Sequence, residues 1–137
     1  MIQRIQSVWL LLAAACAALS FKFPFYIGDT QTEKTHKLIA TDSLPIIILT
    51  ATVMLLSFVI IFFYKKRVLQ LRLSILGILL EALLIFLYYL EVKKFVPGSG
   101  TYAITALLHA AIVFFLFMVA KNINKDEKLI KDSDRLR

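Results

Sequence analysis

Four long apolar stretches, at 5–25, 44–64, 73–92 and 102–120, take up most of the 137 residues, and charged side chains gather almost entirely between them. A bilayer core about 30 Å thick is crossed by roughly 20 residues of helix at about 1.5 Å each, so every stretch is long enough to span. Lipid offers the backbone no hydrogen-bond partner, which leaves helices or a closed barrel. A barrel needs alternating strands of about 10 residues, and the runs here do not alternate. The expected fold is an all-α, up-down four-helix membrane bundle forming one domain over 1–137.

Composition agrees, with 60% hydrophobic and 18% charged residues. The net charge of +7 does not mark a nucleic-acid binder, because the basic residues punctuate apolar runs instead of forming a solvated face. Cys16 is the one cysteine, so neither an internal disulfide nor a zinc spacing is present. Arg4 followed by an apolar run and the small residues from Ala13 to Ala18 has some features of a cleaved signal. The apolar stretch resumes at Phe21, however, and a retained first span is expected.

Orientation follows from the distribution of Lys and Arg in short loops. With the N-terminus inside, Arg4, the second loop (Lys65, Lys66, Arg67, Arg72) and the tail place eleven of the sixteen basic residues on the cytoplasmic side. Both termini are therefore expected in the cytoplasm, and the protein in the inner membrane. Trp9, Tyr26, Tyr64, Tyr88, Tyr89 and Tyr102 fall near the expected span ends, where amphipathic rings settle at headgroups.

Segment 27–43 is the sizeable external loop, and Gly28-Asp29 between two apolar runs suggests a short hairpin. Pro97-Gly98-Ser99-Gly100 allows a tight reversal that makes the last two spans neighbours. The tail 121–137 reads as the fourth helix continuing past the membrane, with Glu127 and Lys131 at a favourable four-residue spacing.

Two ionisable residues sit near mid-span, Glu81 in the third helix and His109 in the fourth. A charge at that depth costs on the order of 3 kcal/mol on insertion scales, so both should face inward and pair. Ser74, Gly77, Glu81 and Tyr88 share one helical face, as do Thr101, Thr105 and His109. Thr50 and Ser57 share a face of the second span, and Ala13, Ala17 and Ser20 give the first a close-approach stripe. Such a pair can be a proton relay or ligand site; it can equally be a hydrogen bond that holds two helices together.

Three stretches carry a family resemblance: the opening Met1-Ile2-Gln3-Arg4-Ile5-Gln6-Ser7-Val8-Trp9, the loop Lys66-Arg67-Val68-Leu69-Gln70-Leu71-Arg72-Leu73, and the close Lys125-Asp126-Glu127-Lys128-Leu129-Ile130-Lys131-Asp132-Ser133-Asp134-Arg135-Leu136-Arg137. The chain resembles, along its whole length, the domain-of-unknown-function 4293 family of small four-helix inner-membrane proteins from Bacteroidota. That resemblance implies architecture and no chemistry. It also has departures: the family tail tends to read Arg-Ser-Ala-Asp where Lys131-Asp132-Ser133-Asp134 stands, and His109 replaces a usually apolar residue.

All three stretches fall on the expected cytoplasmic side. Gln3 and Arg4, Arg67, Gln70 and Arg72, and Asp126, Glu127, Asp134 and Arg135 are thus expected to form a charged clasp or partner surface. No phosphate loop, metal-spaced histidines or nucleophile with a nearby base is evident, so no catalytic residue, cofactor or metal is expected. The leading expectation is a non-enzymatic membrane subunit or scaffold that engages protein partners through this surface and its lipid-facing helices. The alternative is a small proton-coupled carrier using Glu81 and His109, built as a homo-oligomer.

Overall fold

The computed structural model describes residues 2–137, with the side chains of residues 2 and 3 left outside the description. Its elements, in chain order, are α1 (Ile2–Ser20), β1 (Tyr26–Gly28), β2 (His36–Leu38), a 3-10 turn (Ala40–Asp42), α2 (Leu44–Phe62), α3 (Arg67–Val92), β3 (Thr101–Tyr102) and α4 (Ile104–Arg135). Each helix packs on its sequence neighbours, and α1 on α4 closes the ring. The result is a four-helix bundle with a small sheet at one end and the projecting end of α4 at the other. These are called here the sheet end and the tail end.

Helices α2, α3 and α4 are each long and apolar enough to cross a membrane, and α1 is apolar but shorter over Arg4–Ser20. Their outward faces carry exposed Ile48, Leu55, Phe58, Leu79, Phe86, Leu107 and Phe117, a surface that water does not favour and lipid does. The protein is therefore a membrane protein.

Several boundaries differ from the sequence expectation. The first helix stops at Ser20 instead of running to residue 25, because Pro24 lacks an N–H and biases Phe23 toward extended backbone. The third helix begins at Arg67, six residues before the apolar run, since nothing in Arg67 to Arg72 breaks a helix. Thr101 lies in β3 and is exposed, so it does not share the inward face of Thr105 and His109. Helix α4 runs unbroken to Arg135, which at about 1.5 Å per residue is roughly 48 Å and exceeds a bilayer core by more than half.

The expected hairpin forms and gains a third strand. Antiparallel pairing joins Tyr26 with Leu38 and Gly28 with His36, while Tyr26 and Ile27 also pair with Tyr102 and Thr101 on β3. Glycine permits the crossing: a Cβ on Gly100 would lie 2.6 Å from the Ile27 carbonyl oxygen and 2.7 Å from the Gly28 Cα. Backbone bonds from Phe25 N–H to Leu38 O (2.7 Å) and from Ala103 N–H to Phe25 O (2.9 Å) fasten the start of the sheet to the bundle.

Two apolar clusters divide the interior. Leu10, Ala13, Ala17, Val53, Ile60, Ile112, Leu116, Val119 and Ile123 fill the middle and tail end. Phe25, Tyr26, Leu38, Ala40, Ile46, Leu84, Tyr88 and Phe95 fill the sheet end. The expected small-residue stripe is buried throughout, Ala13, Ala17 and Ser20 included, and Trp9 of α1 packs on Phe115 of α4 with ring centroids 5.4 Å apart.

Candidate functional site

At the boundary between these clusters α3 and α4 place their ionisable residues face to face. His109 Nδ1 and Glu81 Oε1 are 2.6 Å apart, and both side chains are 1% exposed. One proton lies between them in either form of the pair: an imidazole N–H donates to the carboxylate, or a carboxylic O–H donates to the ring nitrogen. Such a charge-assisted bond is stronger than a neutral one in a low-dielectric interior.

Aromatic rings surround the imidazole on the side facing the sheet. Side chains on a helix lean toward its N-terminus, which brings Tyr88 back from two turns beyond Glu81 to put its ring centroid 5.0 Å from that of His109. Phe25 stacks on Tyr88 at 4.2 Å and 11°, and lies 5.6 Å from His109. The sheet thus drives one aromatic side chain into the end of the bundle. Sequence periodicity had no means to find Phe25, whose place depends on pairing between β1, β2 and β3.

Among the described residues, four buried groups in the helices, His109 Nε2, Tyr88 Oη, Thr105 Oγ1 and Ser57 Oγ, make no hydrogen bond to protein. Their neighbours are satisfied within the fold: Thr50 Oγ1 donates to Ile46 O at 2.7 Å, Ser74 Oγ to Gln70 O at 2.9 Å, and Gln70 Nε2 to Ile60 O at 3.3 Å. Three of the four, on His109, Tyr88 and Thr105, belong to the surroundings of the Glu81–His109 pair, and Ser57 lies toward the tail end. Among the described residues no three His, Cys, Asp or Glu side chains gather as a metal site.

At the tail end the expected clasp takes a different form. Gln6 Nε2 donates to Asp126 Oδ2 at 2.9 Å in a buried contact that ties the start of α1 to the last packed turn of α4. Gln6 was not among the expected surface residues, although an amide one turn inside an apolar helix is itself the signal. Among the described residues no ion pair joins the three segments. Arg67 and Arg72 line an open groove of about 530 Å³ with Lys65, Lys66, Val68 and Leu69. Arg4 lines another with Ser7, Ile61, Phe62 and Tyr64, and Asp134 and Arg135 border a third with Lys128, Lys131 and Asp132. Glu127 pairs within its own helix, 3.1 Å from Lys131 Nζ. Gln70 turns inward, and the side chain of Gln3 lies outside the described residues. Asp126 and Glu127 apart, the charges expected in the clasp thus make no ion pair between segments among the described residues, as long, solvated side chains gain little by pairing.

An apolar four-helix bundle with a buried acid–imidazole pair, a sheet at one end and a charged helical extension at the other defines the class as a small helical membrane protein. The family model described as Domain of unknown function (DUF4293) matches residues 2–136, and the chain belongs to that family. No curated protein and no solved structure matches it.

Proposed function

We propose that this protein is a non-enzymatic subunit or scaffold of the inner membrane, crossing it four times with both ends in the cytoplasm and binding protein partners at the tail end. The observation that carries this reading is the free end of α4. Asp126 is its last buried residue, yet the helix continues through Arg135. That extension exposes Leu129, Ile130 and Leu136 by 54%, 45% and 90%, next to Lys128, Lys131, Asp132, Asp134 and Arg135. An exposed helix presenting apolar side chains within a mixed-charge rim has the composition of an interface. The grooves lined by Arg67 and Arg72, and by Arg4, extend the same end of the molecule. Orientation with this end inside agrees with the basic-residue bias, and α1 serves as the fourth crossing because it lies packed along α2 and α4.

The test is affinity purification from native membranes in mild detergent. Recovery of a stoichiometric protein that is lost when the chain is cut after Asp126 supports the scaffold. A homodimer that purifies alone and mediates pH-dependent flux in liposomes supports instead a proton-coupled carrier, a reading favoured by the 2.6 Å contact of Glu81 with His109.

A further inference from the structure

The mid-bundle site is not symmetric along the bundle. On the sheet side of the pair stand Tyr88 and Thr105, both fully buried and both with unpartnered hydroxyls, beside the unpartnered His109 Nε2. Asp42 is one-third exposed and 3.7 Å from His36 Nε2. Near it Ser43 Oγ donates to Glu91 Oε1 at 3.2 Å, three residues past Tyr88 on α3. These polar groups stand at the outer edge of the sheet end, beyond the apolar cluster that includes Phe25 and Tyr88.

Toward the tail end the sequence of groups is different. One turn below Glu81, a Cβ on Gly77 would lie 3.1 Å from Leu56 Cδ2 and 3.2 Å from Leu116 Cδ1, so α2, α3 and α4 close tightly there. Val53, Ile112 and Leu116 are fully buried in the same region. Ser57 is the one unpartnered hydroxyl near this layer, and the polar groups beyond it, Ser74 and Gln70, are bonded to backbone carbonyls.

Buried hydroxyl and imidazole groups left without any partner are unfavourable, and the usual remedy is ordered water with about two to four polar partners. We propose that Glu81, His109, Tyr88 and Thr105 form a hydrated proton-binding site whose water lies on the sheet side of the pair, among the Tyr88 and Thr105 hydroxyls and His109 Nε2. In the deprotonated form the Glu81 carboxylate accepts from Nδ1–H of neutral His109. A hydronium gives its proton to Nε2 and becomes water; the Nδ1 proton then passes to Glu81 Oε1. The site gains one proton, Glu81 becomes a carboxylic acid, and His109 ends neutral as its other tautomer. Tyr88 on α3 is the titratable group packed against the pair, and Asp42 stands on the turn before α2, next to His36. Helix α2 carries no titratable side chain, and α1 carries Arg4 near its start and Cys16. None of the site residues lies at the tail end, so the proposal is independent of partner binding there.

The test uses the full chain with nitrogen-15 histidine in lipid nanodiscs, carrying His36→Asn so that His109 alone reports. The expected result is a single-step change from the Nδ1–H to the Nε2–H tautomer as pH falls, with magnetisation transfer between Nε2 and water. Tyr88→Phe and Thr105→Val, which leave the pair itself intact, should each slow that exchange several-fold. Gln70→Leu should leave it unchanged. One tautomer at all pH values without water contact overturns the proposal, as does exchange slowed by Gln70→Leu and indifferent to Tyr88→Phe and Thr105→Val. Circular dichroism of each variant confirms that it is folded before it is compared.

Discussion

Glu81 and His109 each have an alternative to charge. A glutamine at position 81 can still accept from Nδ1–H or donate to a bare Nδ1 across the same 2.6 Å contact, whereas a leucine leaves both imidazole nitrogens unpartnered. Glu81→Gln is therefore expected to stay within about 1 kcal/mol of the parent in reversible unfolding in mixed micelles, and Glu81→Leu to lose about 1–2 kcal/mol, the range of interhelical hydrogen bonds in membranes. Equal losses for the two substitutions would mean that the pair is held by ionic attraction and not by a hydrogen bond either side chain can make. A comparable test applies to Gln6 and Asp126. The bond between them is buried at 2.9 Å, and removing one partner strands the other. Gln6→Leu should cost about 1–3 kcal/mol by the same unfolding measurement, and Gln6→Leu together with Asp126→Leu should recover much of it. If the double substitution is no better than the single, the contact does not couple α1 to α4.

At the scale of elements, the sheet depends on two glycines more than on its strands. Gly100 approaches the Ile27 carbonyl and the Gly28 Cα so closely that any Cβ must displace backbone, and backbone displacement in packed surroundings typically costs 1–3 kcal/mol. Gly100→Ala should therefore detach β3 and speed hydrogen exchange at the Ala103 amide, which Phe25 O now holds at 2.9 Å. Gly98→Ala is a poor control because its φ of 80° is itself unfavourable for alanine. Unchanged exchange in the Gly100 variant would show that the sheet can shift without losing its tie to the bundle. These features also mark where sequence reading ends. Apolar run length locates α2 within two residues at its end, and helical spacing selects Ser74, Gly77, Glu81, Thr105 and His109 as inward residues because the 3.6-residue period is local. Pro24 and the strand at Thr101 and Tyr102 were open to misreading, since one apolar run continues past Pro24, another begins at Tyr102, and hydropathy does not register a missing N–H or a distant strand partner. Phe25 over His109 and Gln6 on Asp126 join residues 84 and 120 positions apart, and only the closed ring of helices brings them together.

For the whole molecule the consequential quantity is length along the bundle axis. At about 1.5 Å per residue, the 19 residues of α1 and of α2 reach roughly 28 Å, about one bilayer core, while the 32 residues of α4 reach roughly 48 Å. The surplus falls at the tail end, where burial stops after Asp126 and the helix carries Lys128, Lys131 and Arg135 alongside Leu129 and Ile130. An unsupported helical turn carrying apolar side chains is marginal in water, so the extension should be ordered by what it binds. Two measurements separate the choices. A fluorescent protein fused after Arg137 should light up in intact cells, and a periplasmic alkaline phosphatase fused there should be inactive; the reverse pattern would put the tail outside and remove the cytoplasmic partner reading. With the tail inside, Leu129→Asp together with Ile130→Asp should leave unfolding of the bundle within about 0.5 kcal/mol, as for exposed substitutions generally, and should abolish co-purification of the partner. A bundle destabilised well beyond that would instead place these leucine and isoleucine side chains against the protein's own surface or against lipid, and the extension would then be a structural foot of the bundle.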